Sequence, residues 1–292
     1  MLIIEGNDIP VSAEDLPPSA LDGSSRWEAV LDLARQADTV DGVFPFNEDA
    51  TLSPDKTTHL LAFDAGRLVG CALVGSDSSA QMVVGPEYRR RHVATQLLAR
   101  MDPHSELWAF GDLPAAQGFC AAQGFEPVRG LLVMDRPPTP LEDNAKTSSS
   151  PARISAYVPD DLGELVQLNA RVFSAHPEQG HLTIDDFRAR IASPWFDPAG
   201  LLIARDVDGA MVGFHWTKAE DGIGEVYVLG VDPDHAGSGL GRRLLNVGLA
   251  YLDTREVTVI RLWVEWDNTI ARNLYEASGF SVVRRDLRYR KV

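Results

Sequence analysis

Apolar residues recur along this chain either at every second position or at every third to fourth, and the change of period marks its elements. Leu2 to Glu5 reads as a short strand. Trp27, Val30, Leu31 and Ala34 then recur at helical spacing, predicting a helix from about Ser25 to Ala37, capped by Ser24-Ser25 and ended by Asp41-Gly42. FPFNEDATLSP follows as a loop holding Glu48. Two strands, His59 to Asp64 and Arg67 to Gly75, form a hairpin about Asp64-Ala65-Gly66. Gln81 to Val84 is a further strand, and Val93, Leu97, Leu98 and Met101 form the inner side of a helix. Glu106 to Phe110 is strand again, LPAAQGFCAAQGF a short helix ending at Gly124-Phe125, and Leu131 to Met134 the strand that closes the half.

The pattern then lapses. Residues 136 to 152 are rich in Pro and Ser and nearly free of large apolar side chains, the composition of an interdomain linker. After it the same series returns: a strand from Ile154 to Val158, a helix from Pro159 to Phe173, and the loop FSAHPEQGHLTIDDF turning into a second helix. A hairpin about Asp208-Gly209, a strand from Glu225 to Val231 and a final alternating strand from Ser281 to Tyr289 complete it. Val69-Gly70, Pro86, Leu107-Trp108 and Gly124-Phe125 find counterparts, in the same order, in Val212-Gly213, Pro233, Leu262-Trp263 and Gly279-Phe280. So long a period predicts two similar domains rather than a solenoid, 1–135 and 153–292, joined by 136–152.

The 292 residues are comfortable for two domains, and 45% hydrophobic with 24% charged residues is ordinary for a globular protein. A net charge of −15 argues against nucleic acid or an anionic membrane as partner. Two cysteines, Cys71 and Cys120, imply no disulfide framework and suit a reducing cytoplasm. No apolar run reaches the length of a membrane span, the N-terminus lacks the basic start of a signal peptide, and a monomer is compatible with the sequence.

The candidate chemistry centres on GEVYVLGVDPDHAGSGLGRRLL, residues 224 to 245. A strand breaks at Asp232-Pro233, and a turn rich in glycine, with Gly237, Gly239 and Gly241, leads into a helix with Leu240, Leu244 and Leu245 on one side. Glycines at a helix start leave backbone N–H groups free to face an anion, and phosphate is the obvious guest. The sequence lacks the Gly-Lys-Ser/Thr of a P-loop and a regular G-x-G-x-x-G. The plain alternative is that the glycines serve only a tight turn. Against it stands the second stretch, RLWVEWDNTIARNLYEASGF, where a strand ends at Asp267-Asn268 and a short helix carries Tyr275 and stops at Gly279.

Together these stretches resemble the GCN5-related N-acetyltransferase family. The resemblance implies an α+β fold of two tandem domains, each a mixed, mostly antiparallel sheet flanked by helices. It implies acetyl-CoA as acetyl donor, no metal, and a small-molecule amine as acceptor. By it, Leu229, Gly230, Val231, Ala236, Gly237, Ser238, Gly239, Leu240, Gly241 and Arg242 hold acetyl-CoA, together with Asn268, Thr269, Ile270, Ala271, Arg272 and Asn273. Glu225 takes the amine proton and Tyr275 protonates the leaving thiolate. HPEQG, GFHWTK and GEVYVLGVDP resemble a tandem branch that acts on a cysteinyl-glucosaminyl-inositol, for which Glu48, Glu178, Lys218, Glu225 and Trp263 would be the contacts.

The sequence departs from the family pattern in places. Ala236 stands where a Gln or Arg is usual, and Trp263 where a tyrosine is expected. In the first copy His92 replaces a glycine, Cys120 replaces Tyr275, and Ser79 or Ala80 stands in place of Glu225. That copy is expected to be catalytically silent while holding acetyl-CoA through Met82, Val83, Val84, Arg90, Arg91, His92, Val93, Ala94 and Thr95. Two other functions compete: an acetyltransferase for another small amine or a protein N-terminus, and a non-catalytic acyl-CoA-binding module. Retention of both Glu225 and Tyr275 argues against the module.

Overall fold

The computed structural model describes residues 2–6, 23–139, 150–174 and 179–292. It contains, in chain order, β1 (Leu2–Gly6), α1 (Gly23–Asp41), α2 (Glu48–Leu52), β2 (Thr57–Asp64), β3 (Arg67–Gly75), β4 (Ser79–Val84), α3 (Val93–Leu98), β5 (Glu106–Ala109), α4 (Pro114–Ala122) and β6 (Phe125–Arg136). The second series is β7 (Arg153–Ala156), α5 (Leu162–Val172), α6 (Ile184–Ile191), β8 (Leu201–Arg205), β9 (Met211–Glu220), β10 (Ile223–Val231), α7 (Leu240–Leu252), β11 (Val259–Glu265), α8 (Thr269–Glu276) and β12 (Ser281–Lys291). No helix among the described residues is long and apolar enough to cross a membrane.

Two compact units form. Unit 1 comprises Met1–Leu132, Glu265–Asp267 and Arg284–Val292; unit 2 comprises Val133–Val264 and Asn268–Val283. In unit 1 the strand order is β1-β2-β3-β4-β5-β12, followed by the first part of β6. In unit 2 the order runs from the end of β6 through β11, β10, β9 and β8 to β7. Each unit has one parallel pair of matching place, β4 with β5 and β10 with β11, while the hairpins are antiparallel. These are mixed, mostly antiparallel sheets with helices on both faces.

A register shift sorts the two faces of unit 2 along β9. Phe214 and Trp216 join Leu165, Leu168 and Phe187 under α5 and α6, whereas Val212, left over where the pairing with β8 slips by one residue, lies with Leu240 and Leu244 of α7. Leu240, Leu244, Leu245, Leu249 and Leu252 are all buried on that helix, and burying each stabilises the fold by about 2 kcal/mol. His215 also lies beneath α7, because residue 248 is glycine: a Cβ there would stand 2.1 Å from the imidazole. Its Nδ1–H donates to the Leu244 carbonyl at 2.9 Å, and complete burial lowers its pKa to about 4, so the ring is neutral.

Several boundaries differ from those read in the sequence. Helix α1 begins at Gly23 and runs to Asp41, so Ser24 and Ser25 lie inside it. The FPFNEDATLSP segment is not a loop throughout: Asn47 accepts a hydrogen bond from the Ala50 N–H and starts α2, with Glu48 and Asp49 in its first turn. The final strand, expected in the second domain, contributes Arg284–Val292 to unit 1. There Leu287 and Tyr289 pair with Ala109 and Leu107 and enter the first core.

Candidate active site

The site of unit 2 follows from how β10 and β11 separate. Their ladder holds three registers, Ile223 with Val259, Gly224 with Ile260 and Glu225 with Arg261. Beyond it β10 bulges: Val226 faces Thr217 and Val228 faces Trp216, leaving Tyr227 as the extra residue. A bulge bends its strand and disrupts pairing. The two strands therefore fork directly after Glu225, which stands half-buried at the root.

Cross-strand pairing decides what Glu225 faces. Lys218 is opposite it on β9, and Arg261 opposite it on β11, with Trp263 two residues further along the same face and 38% exposed. The Lys218 ammonium lies 4.9 Å from the centre of the Trp195 ring and 3.1 Å from Glu220. Tyr227, the bulged residue, meets Trp195 edge-on at 5.1 Å and accepts a 2.9 Å hydrogen bond from Nε of the buried Arg190. Glu225, Lys218 and Trp263, expected together from the resemblance, thus share one face of the sheet. Glu178 lies outside the described residues.

The glycine turn leads from β10 into α7 through left-handed backbone. After β10, Asp232 accepts from the Asp234 N–H and ion-pairs with Arg171 at 2.9 Å. Burial alone would raise its pKa, but the Arg171 and Asp234 hydrogen bonds outweigh burial and hold the carboxyl below its usual range. Gly237 and Gly239 then take φ of 75° and 81°, the left-handed region that glycine enters at little cost, and Gly239 caps the 13-residue α7. Nothing lies within 4 Å of where a Cβ on Gly237 would be, so the loop is open. Ala236 supplies backbone only, whereas Arg242 is exposed in the first turn of α7.

Helix α8 borders this turn, with Leu274 4.0 Å from a Cβ built on Gly241. Asn268 caps α8 by accepting from the Ala271 N–H at 3.0 Å, a structural role the sequence reading did not separate from cofactor contact. Thr269, Ile270 and Asn273 are exposed, while Ala271 and Arg272 are partly covered. Tyr275 is 8% exposed and edge-on to Phe280; burial pushes its hydroxyl up to about 12. The phenol therefore stays protonated across the working pH range.

Unit 1 repeats the scaffold with other side chains. Its ladder pairs Ser79 with Glu106, Ala80 with Leu107 and Gln81 with Trp108, and β4 has no bulge. Aligning Leu107-Trp108 with Leu262-Trp263 makes Ser79 the counterpart of Glu225, with Tyr227 as the residue β4 lacks. A cavity of about 200 Å³ lies in this fork, lined among others by Met82, Val83, Val84, Ala94, Trp108, Phe119 and Cys120. Arg90 and His92, in place of Gly237 and Gly239, both take φ of 63°. Arg89 is held by Asp41 through two hydrogen bonds of 2.8 and 2.6 Å. Burial first, and the Asp112 charge second, push the Cys120 thiol up to about 11.

Arg261, Tyr227, Arg190 and Trp195 escaped the reading of the sequence. Only Arg261 carried a signal, as the lone cation opening the RLWVEW strand.

The acetyltransferase (GNAT) family model matches residues 27–125 and 164–280. The chain is similar to the mycothiol acetyltransferase of Propionibacterium freudenreichii subsp. shermanii, 39% identical over 98% of this chain and 92% of that protein. Its similarity to the one from Thermobispora bispora is 43%, over 90% and 95%. Among solved structures, a tandem GNAT protein from the clavulanic acid biosynthesis pathway superposes with a TM-score of 0.70 at 18% identity, covering 98% of each chain. A GCN5-related N-acetyltransferase from Sphaerobacter thermophilus gives 0.65 at 20%, covering 99% and 95%. At such identities these two speak for the fold.

Proposed function

Because the chain belongs to the GCN5-related N-acetyltransferase (GNAT) family and matches its domain twice, we propose that it makes mycothiol by acetylating the free amine of cysteinyl-glucosaminyl-inositol. Acetyl-CoA is the donor that this family uses. The observation that carries the assignment to unit 2 is the placement of Glu225 at the root of the fork, where unit 1 has Ser79.

Bound acetyl-CoA supplies an acetyl thioester. The residues of this chain then have three tasks. Leu229, Gly230 and Val231 continue β10 past its pairing with β11 and so offer backbone groups to the donor's arm, while the N–H groups of Gly237 to Gly241 and the Arg242 guanidinium face its diphosphate. Asn268 to Asn273 flank it. Glu225, as carboxylate, accepts the proton of the acceptor amine, directly or through one water, since only the neutral amine attacks. Tyr275, held protonated by burial, donates a proton to the departing sulfur. Lys218 and Trp263, on the face of Glu225, are the proposed contacts for the acceptor's hydroxyls and ring surface.

Unit 1 is proposed to be catalytically silent. Its cavity and the segments Met82 to Val84 and Arg90 to Thr95 are offered as a second acetyl-CoA site without base or acid. We place the enzyme in the cytoplasm as a monomer.

The test is thiol release from acetyl-CoA with a panel of amines that includes the cysteinyl sugar. The sugar should be the preferred acceptor, and Glu225→Gln and Tyr275→Phe should each lower kcat by about 100-fold or more. Near-normal kcat in both variants, or preference for another amine, would overturn the respective assignment.

A further inference from the structure

Glu225 lies within a row of alternating charge. Lys218 on β9, Glu225 on β10 and Arg261 on β11 are consecutive cross-strand partners. Arg261 in turn donates to both carboxylate oxygens of Asp135, at 2.8 Å each, from the end of β6. The row thus reads plus, minus, plus, minus across four neighbouring strands. Beside Glu225 on this face stand Lys218 and Glu220 from β9, Arg261 from β11, Asp135 from β6, and Arg190 from α6 on the Tyr227 hydroxyl; further along β11, Glu265 is paired with Arg129. Each cation beside Glu225 is therefore also engaged by another carboxylate, Glu220 for Lys218 and Asp135 for Arg261.

Unit 1 does not keep this arrangement. The counterpart of Arg261 is Glu106, which pairs instead with Arg288 and Arg290 of β12, and the counterpart of Glu225 is Ser79. The polarity is reversed in the copy that lacks the base.

Two cations flanking a carboxylate stabilise its charged form and weaken it as a base. A fixed anion beyond one of them works against that. Resting on the reading of Glu225 as the base, we propose that Asp135 is a positioning residue for acetyl transfer: it holds the Arg261 guanidinium in place and offsets its charge, so that Glu225 keeps enough basicity to deprotonate the amine. Asp135 acts through Arg261 and need not touch either substrate.

The magnitude follows from the strand spacing. Asp135 and Glu225 are two strands apart, roughly 10 Å, and at an effective dielectric of about 20 such a charge moves a titration by on the order of one pH unit. The experiment is kcat against pH at saturating concentrations of both substrates, on the full chain, with thermal unfolding as a check on folding. In Asp135→Asn the acid limb should move down by about one unit, and the plateau should fall several-fold as the base weakens. In Arg261→Gln the limb should move the other way. Arg261→Lys keeps the charge and should leave the limb in place. The double variant Asp135→Asn/Arg261→Gln should return it close to wild type. Should Asp135→Asn not fold, the two Arg261 variants carry the test alone. A merely structural pair would lower activity in each variant without opposite displacements. Limbs that do not move, or that move in the same direction, overturn the proposal. Glu225→Gln separates the two claims: an acid limb that survives there refutes the base assignment and this proposal with it. A limb lost there but unmoved in the Asp135 and Arg261 variants refutes this proposal alone.

Discussion

Substitution of Gly239 separates what the loop does with its backbone from what it does with its field. Residue 239 has φ 81° and ψ 2° and caps α7. An alanine held in the left-handed region costs roughly 1–2 kcal/mol, so Gly239→Ala should lose about that much stability and bind acetyl-CoA within about tenfold of wild type. Gly239→Asp adds a carboxylate where the proposed site receives a diphosphate. At an effective dielectric of about 20, two unit charges repel by about 4 kcal/mol at 4 Å and about 2 kcal/mol at 8 Å. That range corresponds to a loss of about 30-fold to about 1,000-fold in affinity. Titration calorimetry on the full-length protein should therefore show one class of acetyl-CoA sites lost in the Asp variant and kept in the Ala variant. The difference should shrink as salt is raised, since the loop is open to solvent. A folded Gly239→Asp that binds with wild-type stoichiometry and affinity would reduce the glycine turn to a connection between strand and helix.

Three further outcomes are expected. His92→Gly removes a side chain from φ 63° and should raise the stability of unit 1 by about 0.5–1 kcal/mol, the relieved strain less the added chain entropy; a lower urea midpoint would show that the position is not strained. Glu48→Gln, if that carboxylate contacts the acceptor, should raise its KM roughly 10- to 150-fold, corresponding to about 1.5–3 kcal/mol for a charged hydrogen bond, and an unchanged KM removes Glu48 from the site. Cys120→Ala should leave kcat unchanged, and a tenfold fall would show that unit 1 takes part in the chemistry.

What was legible in the sequence was local. A strand broken by Asp232-Pro233, three glycines and a leucine-faced helix spell out the turn and α7 without any distant contact, and the repeat with its losses at Ser79 or Ala80, His92 and Cys120 can be read from aligned stretches alone, the choice of Ser79 needing the strand register. Asn47 followed by two acidic residues was also a helix-start signal, but a five-residue helix has too little periodicity to be seen. The bulge at Tyr227 was hidden because an extra residue shows only against a partner strand. The charge row was hidden for the same reason: Asp135 and Arg261 meet 126 positions apart through strand order, which periodicity does not encode. Unit 2 begins at Val133 and so includes Asp135, whereas composition, which saw only the proline-rich stretch, drew the boundary after the strand before it.

The last strand has a consequence for how this protein is born. Unit 1 takes Leu287 and Tyr289 into its core, its Gly111 N–H donates to Asp286, and the Val292 N–H donates to the Gly124 carbonyl. A ribosome that has just released the body of unit 1 must still synthesise all of unit 2 before that strand emerges. At about 5–20 residues per second this takes roughly 10–30 s, during which β5 waits with an open edge. The order of synthesis and the order of completion are thus reversed: the half made first is finished last. Loss of Arg284–Val292 would take the last strand from unit 1 and leave unit 2 its own residues.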